Sequence, residues 1–327
     1  MITYLHHRVT QALFSSGYLG SNSALLITVS GGKDSLALLK IICEISLTYK
    51  WRIGVIHCDH KWREDSKLNT YSVYDFIQDL QIPFYLGVSQ YKLHTEEESR
   101  LWRYTVFFNI ADQYNYNIIL TAHNLNDRVE TMFYNLFRGT GVTGLSSLAL
   151  SKQISNNISL LRPLLSISQF ELAWFCRHFF LPVWSDSTNF NPIYCRNRIR
   201  QDLIPYIKHF FNPRVEEHIN SFLDKITLQN IYLNKYGNLY FRRVVHSEYL
   251  ALHTISFKHL HPLMQNLVLM HLLQYLNFSG KIEKLLPYVK KFISLTQYNN
   301  SAIKYGTILM VKKKYYLYIC EQRQQNN

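Results

Sequence analysis

The strongest constraint on how this chain folds is six residues long. Ser30-Gly31-Gly32-Lys33-Asp34-Ser35 lies between an apolar, β-favouring run at 24–29 and a helical run at 36–45. Two adjacent glycines let the backbone turn sharply and come close to a bound group, because no Cβ stands in the way. Ser30 and Ser35 bring hydroxyls and Asp34 a carboxylate. The helix that follows aims its N-terminal N–H groups and the positive end of its dipole back at the turn, which is how a backbone holds phosphate. The Walker pattern does not fit, because it needs serine or threonine after the lysine and Asp34 follows Lys33. The dinucleotide fingerprint fails for want of a third glycine. The competing reading is a plain glycine turn between a buried strand and a buried helix.

The rest of the first two thirds repeats the alternation. Strands are expected at 51–57, 82–88 and 117–122, and helices at 66–80, 95–113, 127–137 and 167–180. Thr95 is placed to cap the second of these helices, with Glu96, Glu97 and Glu98 complementing the dipole. Strands alternating with helices predict an α/β fold with a doubly wound, mostly parallel sheet, whose ligands sit beyond the carboxyl ends of the strands. Three polar clusters fall there: the 30–35 loop, Asp59-His60 and His123-Asn124. Asp127 and Glu130 are spaced i,i+3 and share a helix face. Arg100 and Arg103 have the same spacing and suit either phosphate or a solvated face. Gly139, Gly141 and Gly144 make a loop that either approaches a ligand or merely connects. Asn189 follows in a D-S-T-N run, where it either closes a pocket or caps a turn. Arg196, Arg198 and Arg200 suit bidentate phosphate contacts or a structural tie.

A boundary is expected near 205–213, dividing a catalytic domain at 1–205 from a smaller α+β domain at 206–327. The latter should hold a long helix at 215–236, two further helices, and an alternating stretch at 303–319 turned at Lys312-Lys313-Lys314. No chemical motif is visible in it.

Composition narrows the function. Lys and Arg number 35 against 22 Asp and Glu, a net charge of +13. That points to a polyanionic partner, although an AT-rich genome would also raise lysine. The five cysteines (Cys43, Cys58, Cys176, Cys195 and Cys320) include no C-x-x-C, which fits free thiols in a reducing compartment and predicts no zinc site. No apolar run approaches the roughly 20 residues a membrane span needs, so no membrane is expected. Residues 1–20 lack the apolar core of a secretory signal.

Taken in order, S-G-G-K-D-S (30–35), D-H-K-W-R-E-D-S (59–66), E-E-E-S-R-L-W-R-Y (96–104), T-A-H-N-L-N-D-R-V-E-T (121–131), R-G-T-G-V-T-G-L (138–145), R-P-L-L (162–165) and D-S-T-N…R-N-R-I-R (186–200) resemble the tRNA(Ile)-lysidine synthase family. The first motif is shared by all N-type ATP pyrophosphatases, the PP-loop enzymes. The resemblance covers about residues 24–205 and implies an adenine nucleotide α-hydrolase-like fold. It also implies ligation of L-lysine to C2 of the wobble cytidine in the CAU anticodon of tRNA(Ile), with ATP converted to AMP and pyrophosphate through an adenylated cytidine. Carried residue by residue, it implies a nucleotide site at Ser30, Gly31, Gly32, Lys33, Asp34, Ser35, Asp59 and His123. It implies catalysis by Asp34, Asp127 and Glu130, with Asp34 and Asp127 as Mg²⁺ ligands. Substrate contacts fall to Arg100, Arg103, Gly139, Gly141, Asn189, Arg196, Arg198 and Arg200. A homodimer is compatible with it. The AT-rich composition places the protein in the plastid stroma, with a bacterial cytoplasm as the alternative.

There are departures. The family usually has glycine where Lys61 stands and leucine where Trp62 stands, and often an acid at the Asn126 position. Rival readings are a thiolating PP-loop enzyme, against which the lack of paired cysteines argues, and a non-catalytic RNA-binding relative, against which the intact loop argues.

Overall fold

The computed structural model describes residues 2–20, 23–61, 66–91, 95–146, 148–184, 195–246, 248–276, 282–294, 301–305 and 308–321. Two compact units make up the chain, Met1–Thr227 and Leu228–Asn327.

The first unit is built on a six-stranded sheet of β1 (Ala24–Thr28), β2 (Arg52–Asp59), β3 (Phe84–Val88), β4 (Ile118–Leu120), β5 (Ser151–Gln153) and β6 (Ser159–Leu161). The strands lie in the order β3-β2-β1-β4-β6-β5. All neighbours are parallel except the edge pair β5–β6. Side-chain alternation explains why helices cover both faces. Leu25 and Ile27 of β1, Ile53 and Val55 of β2, and Ile118 and Leu120 of β4 face one core. Leu26, Ile56 and Ile119, at alternate positions along the same strands, face another.

The first core is closed by α1 (Tyr4–Ser15), α2 (Lys33–Tyr49), α3 (Ser66–Gln78) and α7 (Gln169–His178), through residues such as Val9, Leu36, Val73 and Phe175. α2 is apolar nearly all round, so it is sandwiched, with Leu36 through Leu39, Ile41 and Ile42 almost inaccessible. The second core is closed by α4 (Glu96–Gln113) through Phe107 and Ala111. Thr95 caps α4 as expected, accepting from the Glu98 N–H at 3.1 Å. The chain then forms α5 (Leu125–Phe137), α6 (Val142–Leu145), α8 (Cys195–Arg198), a π-helical turn (Ile199–Leu203), α9 (Ile204–Phe210) and α10 (Val215–Val244). The division between units falls inside α10, whereas the sequence places a boundary at 205/206.

The chain runs outward from β1 through β2 to β3 and then returns to β4 on the other side of β1. The crevice between the carboxyl ends of β1 and β4 is therefore the switch point, where an open parallel sheet receives its ligand.

The second unit holds β7 (Ala251–His253), α11 (Thr254–Lys258), α12 (Pro262–Tyr275), α13 (Ile282–Ser294), β8 (Ser301–Tyr305), β9 (Ile308–Lys313) and β10 (Tyr316–Glu321). Its antiparallel sheet runs β7-β10-β9-β8 over a core that includes Phe257, Val268, Leu272, Phe292, Met310 and Leu317. The β9–β10 turn is Lys314-Tyr315 rather than the three lysines, because Tyr316 pairs with Lys313 and Lys312 is still in the strand. Lys314 takes the positive φ, 50°, that a two-residue hairpin demands.

Candidate active site

The 30–35 loop lies at the carboxyl end of β1 and leads into α2, as its sequence requires. It is braced from within and from outside. The Ser30 N–H donates to Ser35 Oγ at 3.2 Å, and Ser35 Oγ–H donates to the Gly32 carbonyl at 2.9 Å. Asn69 of α3 donates to the Ser30 carbonyl at 3.0 Å, and the Trp184 N–H donates to the Gly31 carbonyl at 3.0 Å. Gly31 sits at φ +87°, and a Cβ there would overlap Asn69 Oδ1. Behind the loop, His57 of β2 donates from Nδ1 to the Val29 carbonyl at 2.7 Å, and its Nε2 lies 3.2 Å from Thr70 Oγ1. Burial lowers the His57 pKa and keeps it neutral. Lys33 reaches Gln169 Oε1 of α7 at 3.4 Å, and Cys176 Sγ donates to the Lys33 carbonyl.

Across the crevice, β4 ends and α5 begins. Asn124 caps α5 in a reciprocal box: the Asp127 N–H donates to Asn124 Oδ1 at 3.0 Å, and the Asn124 N–H donates to Asp127 Oδ2 at 3.1 Å. The cap starts the helix at Leu125, two residues before the expected start. Asn124 Nδ2 also donates to Asp34 Oδ2 at 3.0 Å, so a single side chain joins the loop to α5. Burial first, and the charge of Asp127 next, push the Asp34 carboxyl up to about 7, against Lys33, the Asn124 amide and Arg200. Asp34 Oδ1 is buried with no hydrogen-bond partner among the described residues.

Glu130, one turn on, has no exposed surface. Both its oxygens are taken by guanidinium groups, Arg200 Nε at 2.6 Å on Oε1, and Arg200 Nη2 at 3.0 Å and Arg196 Nε at 3.1 Å on Oε2. Burial raises its pKa, and Arg200 opposes that shift. Asp127 keeps more room: its side chain is 18% exposed, and Oδ1 is shared by Arg200 at 3.3 Å and Arg196 at 3.7 Å. Thus Arg196 and Arg200, four residues apart, share a face over the carboxylates. Arg198 points elsewhere and lines a surface pocket of about 490 Å³ with Phe137, Ile199 and Tyr206.

The remaining residues singled out from sequence fall as follows. His123 bonds Thr121 Oγ1 at 3.0 Å through Nδ1, and burial pushes its pKa down to about 3 despite Asp127, so the ring is neutral. Asp59 ends β2 and accepts the Lys61 N–H at 2.8 Å. Arg103 is half-buried with no partner for Nε among the described residues, while Arg100 is exposed with its guanidinium 5.7 Å from the Tyr104 ring. Gly139 and Gly141 have open space around them. Asn189 and Trp62 lie outside the described residues. Asn69, His57 and Trp184 carry no site signal in the sequence, and Asn124 is named there only as part of the His123-Asn124 cluster, with no role of its own. For Asn124 a signal existed, since asparagine three residues ahead of an acid is a capping pattern.

A family model described as a PP-loop domain matches residues 3–207. The tRNA(Ile)-lysidine synthase, chloroplastic, of Pyropia yezoensis is 41% identical over 267 residues, 82% of this chain and 81% of that one. Its counterpart in Gracilaria tenuistipitata var. liui is 35% identical over 319 residues, 97% of this chain and 99% of that one. The chain belongs to the tRNA(Ile)-lysidine synthase family. Among solved structures, the U34-tRNA thiolase NcsA from Methanococcus maripaludis with its 4Fe–4S cluster superposes with a TM-score of 0.58 at 14% identity, over 68% of this chain and 77% of that one. That likeness concerns the fold.

Family membership gives two departures a physical meaning. Lys61, where glycine is usual in the family, adopts φ 54°, a left-handed conformation that glycine enters freely. Asp59 steadies it by accepting its N–H. Asn126, where the family often has an acid, both donates to Glu216 Oε1 at 2.6 Å and accepts the Gln169 N–H at 2.9 Å. An ionised carboxylate could not make the first of these bonds.

Proposed function

We propose that this chain joins the ε-amine of L-lysine to C2 of the wobble cytidine in the CAU anticodon of tRNA(Ile), and that ATP is consumed as AMP and pyrophosphate. The observation that carries the reading is the Asn124 bridge, which brings Asp34 of the loop and Asp127 of α5 together across the switch-point crevice.

ATP use follows from membership of the PP-loop family. In the first step the cytosine O2 attacks the α-phosphorus and pyrophosphate leaves. The 30–35 loop and the N-terminal N–H groups of α2 are assigned to the pyrophosphate, whose developing charge they offset from fixed positions. Lys33 adds a positive charge. Asp59 and neutral His123 border the nucleotide. Mg²⁺ fits the donor set, because Asp34 Oδ1, buried and without a partner among the described residues, is a hard oxygen suited to that ion, with Asp127 as the second ligand. When bound, the ion would neutralise phosphate charge.

In the second step the lysine nitrogen attacks C2, the C2–O bond breaks and AMP departs. Free lysine is overwhelmingly protonated at neutral pH, with a pKa of about 10.4. A carboxylate must hold the ammonium and take its proton. The reading gives that task to Asp127, the more open of the two acids. Glu130, enclosed by Arg196 and Arg200, acts with them as the floor of the lysine site. Arg100, Arg103, Arg198, Gly139 and Gly141 are assigned to the tRNA, with Asn189 beside them in sequence terms only. The second unit is assigned to gripping the tRNA body.

Relatives named as chloroplastic support a plastid location. The deciding experiment is mass spectrometry of the anticodon nucleoside after incubation of the protein with tRNA(Ile), ATP and isotopically labelled lysine. A labelled lysidine is expected. Intact ATP and unmodified cytidine in the complete mixture would end the reading.

A further inference from the structure

Asn124 has no exposed surface, and its side chain is used at both ends. Oδ1 accepts the Asp127 N–H at 3.0 Å, which is all that capping α5 requires. Serine, threonine or aspartate would cap equally well. Nδ2 does something those residues cannot do at that reach: it donates to Asp34 Oδ2 at 3.0 Å, across the crevice. The backbone N–H of the same residue donates to Asp127 Oδ2 at 3.1 Å. One oxygen of each carboxylate is therefore engaged by Asn124. The other oxygen of each is left: Asp34 Oδ1, buried and unpartnered among the described residues, and Asp127 Oδ1, on the side of Arg196 and Arg200.

We propose that Asn124 is a positioning residue that fixes the spacing and rotation of Asp34 and Asp127, so that one defined oxygen of each faces the nucleotide. The proposal rests on the reaction given under Proposed function for the identity of the chemistry, and on the hydrogen bonds alone for the positioning. When only the bond to Asp34 is broken, it predicts a loss in nucleotide binding and the adenylating step. The lysine site, built around Asp127, Glu130, Arg196 and Arg200, meets Asn124 through Asp127, whose bonds to the cap are separate from the bond to Asp34.

Three variants separate positioning from capping. Asn124→Ser keeps the cap and is too short to reach Asp34. Asn124→Asp keeps the cap and the length but exchanges the donor for an acceptor. Asn124→Ala removes both functions. Each is compared with the wild-type chain by thermal unfolding, by calorimetric binding of ATP with Mg²⁺, and by kcat and KM for pyrophosphate release with a CAU-anticodon tRNA(Ile) transcript. The serine variant is expected to unfold close to the wild-type temperature and the aspartate variant, which buries a third carboxylate beside Asp34 and Asp127, lower; both should release pyrophosphate about 10- to 100-fold more slowly, the range for losing a hydrogen bond to a charged group. In the serine variant, which keeps the bonds to Asp127, KM for lysine should stay at the wild-type value. Serine and aspartate variants within twofold of wild type in both binding and rate would overturn the proposal. So would losses that track the unfolding temperature across all three variants. If the wild type itself releases no pyrophosphate, the reaction assignment fails separately, and calorimetry alone judges Asn124: equal ATP affinities refute positioning and weakened affinities support it.

Discussion

Two glycine loops of this chain look alike in sequence and differ in what surrounds them. Gly31 and Gly139 both take positive φ, +87° and +73°. Around Gly31 the space is full: Asn69 and Val73 of α3 press on it, and Trp184 holds its carbonyl. Around Gly139 no atom of the described residues lies within 4 Å of where a Cβ would stand, and the same is true of Gly141. One loop is a cradle set before any ligand arrives. The other is an open connection, free on its outer side. A site that must hold a small charged group in line benefits from fixed dipoles. A surface that meets a large polymer needs room.

The largest effect that could break this contrast is expected at Gly31. Gly31→Ala meets both a left-handed backbone and the Asn69 side chain. It should destabilise the first unit by about 2–4 kcal/mol and abolish pyrophosphate release. Urea unfolding and a pyrophosphate assay on the same preparation check it. Unchanged stability would mean that the loop is not braced as described. Asn69→Ala placed behind Gly31→Ala should recover only part of the stability, because the backbone strain remains.

The bracing from β2 offers a smaller and pH-dependent test. His57 is neutral because burial lowers its pKa below 6.5, while its Nδ1–H supports Val29 just ahead of the loop. The unfolded chain therefore takes up the proton first as pH falls. The stability that neutral His57 provides is complete above about pH 6.5 and is lost on going from there down through the folded-state pKa, at no more than about 1.4 kcal/mol per pH unit. His57→Asn should be less stable than wild type at pH 7.5 and lose less on moving to pH 5.5. Thermal unfolding at both pH values measures this. Parallel losses in the two proteins would remove His57 from the list of braces.

Much of the cradle was legible because its signals are local. A hexapeptide between an apolar run and a helical run states where β1 stops and α2 starts, and strand alternation states that both faces are covered. Asp127 and Glu130 were also nameable, since an i,i+3 spacing fixes a shared face, while Arg196 and Arg200 stood out only as members of a dense arginine run. The braces were not. Asn69, His57 and Trp184 act on the loop from distant points in the sequence, and nothing in their neighbourhoods marks them. Arg198 was grouped with its neighbours by spacing in the chain, while the α8 and π-helical geometry turns it to a separate surface with Phe137 and Tyr206. The unit division lies inside α10, an uninterrupted helix whose one glycine, Gly237, lies beyond it.

Gly139→Ala carries the conformational cost without the steric one. It should cost about 1 kcal/mol, which urea unfolding resolves, and leave KM for ATP unchanged. A loss as large as that of Gly31→Ala would show that the second loop is packed after all.

The smallest expected effect sharpens the contrast most. Gly141 caps α6 with an ordinary φ of −70°, and a Cβ there would touch none of the described residues. Gly141→Ala should therefore leave stability within about 0.5 kcal/mol, because a poorer cap is offset by a stiffer unfolded chain. If the open space is where tRNA approaches the backbone, the added methyl meets the ligand instead of the protein. KM for tRNA should then rise about threefold, with KM for ATP and the unfolding midpoint unmoved. Steady-state kinetics with tRNA(Ile) as the varied substrate make the measurement. A KM for tRNA equal to wild type would assign this loop to connection alone and leave the braced loop as the one glycine turn of the pair with a ligand.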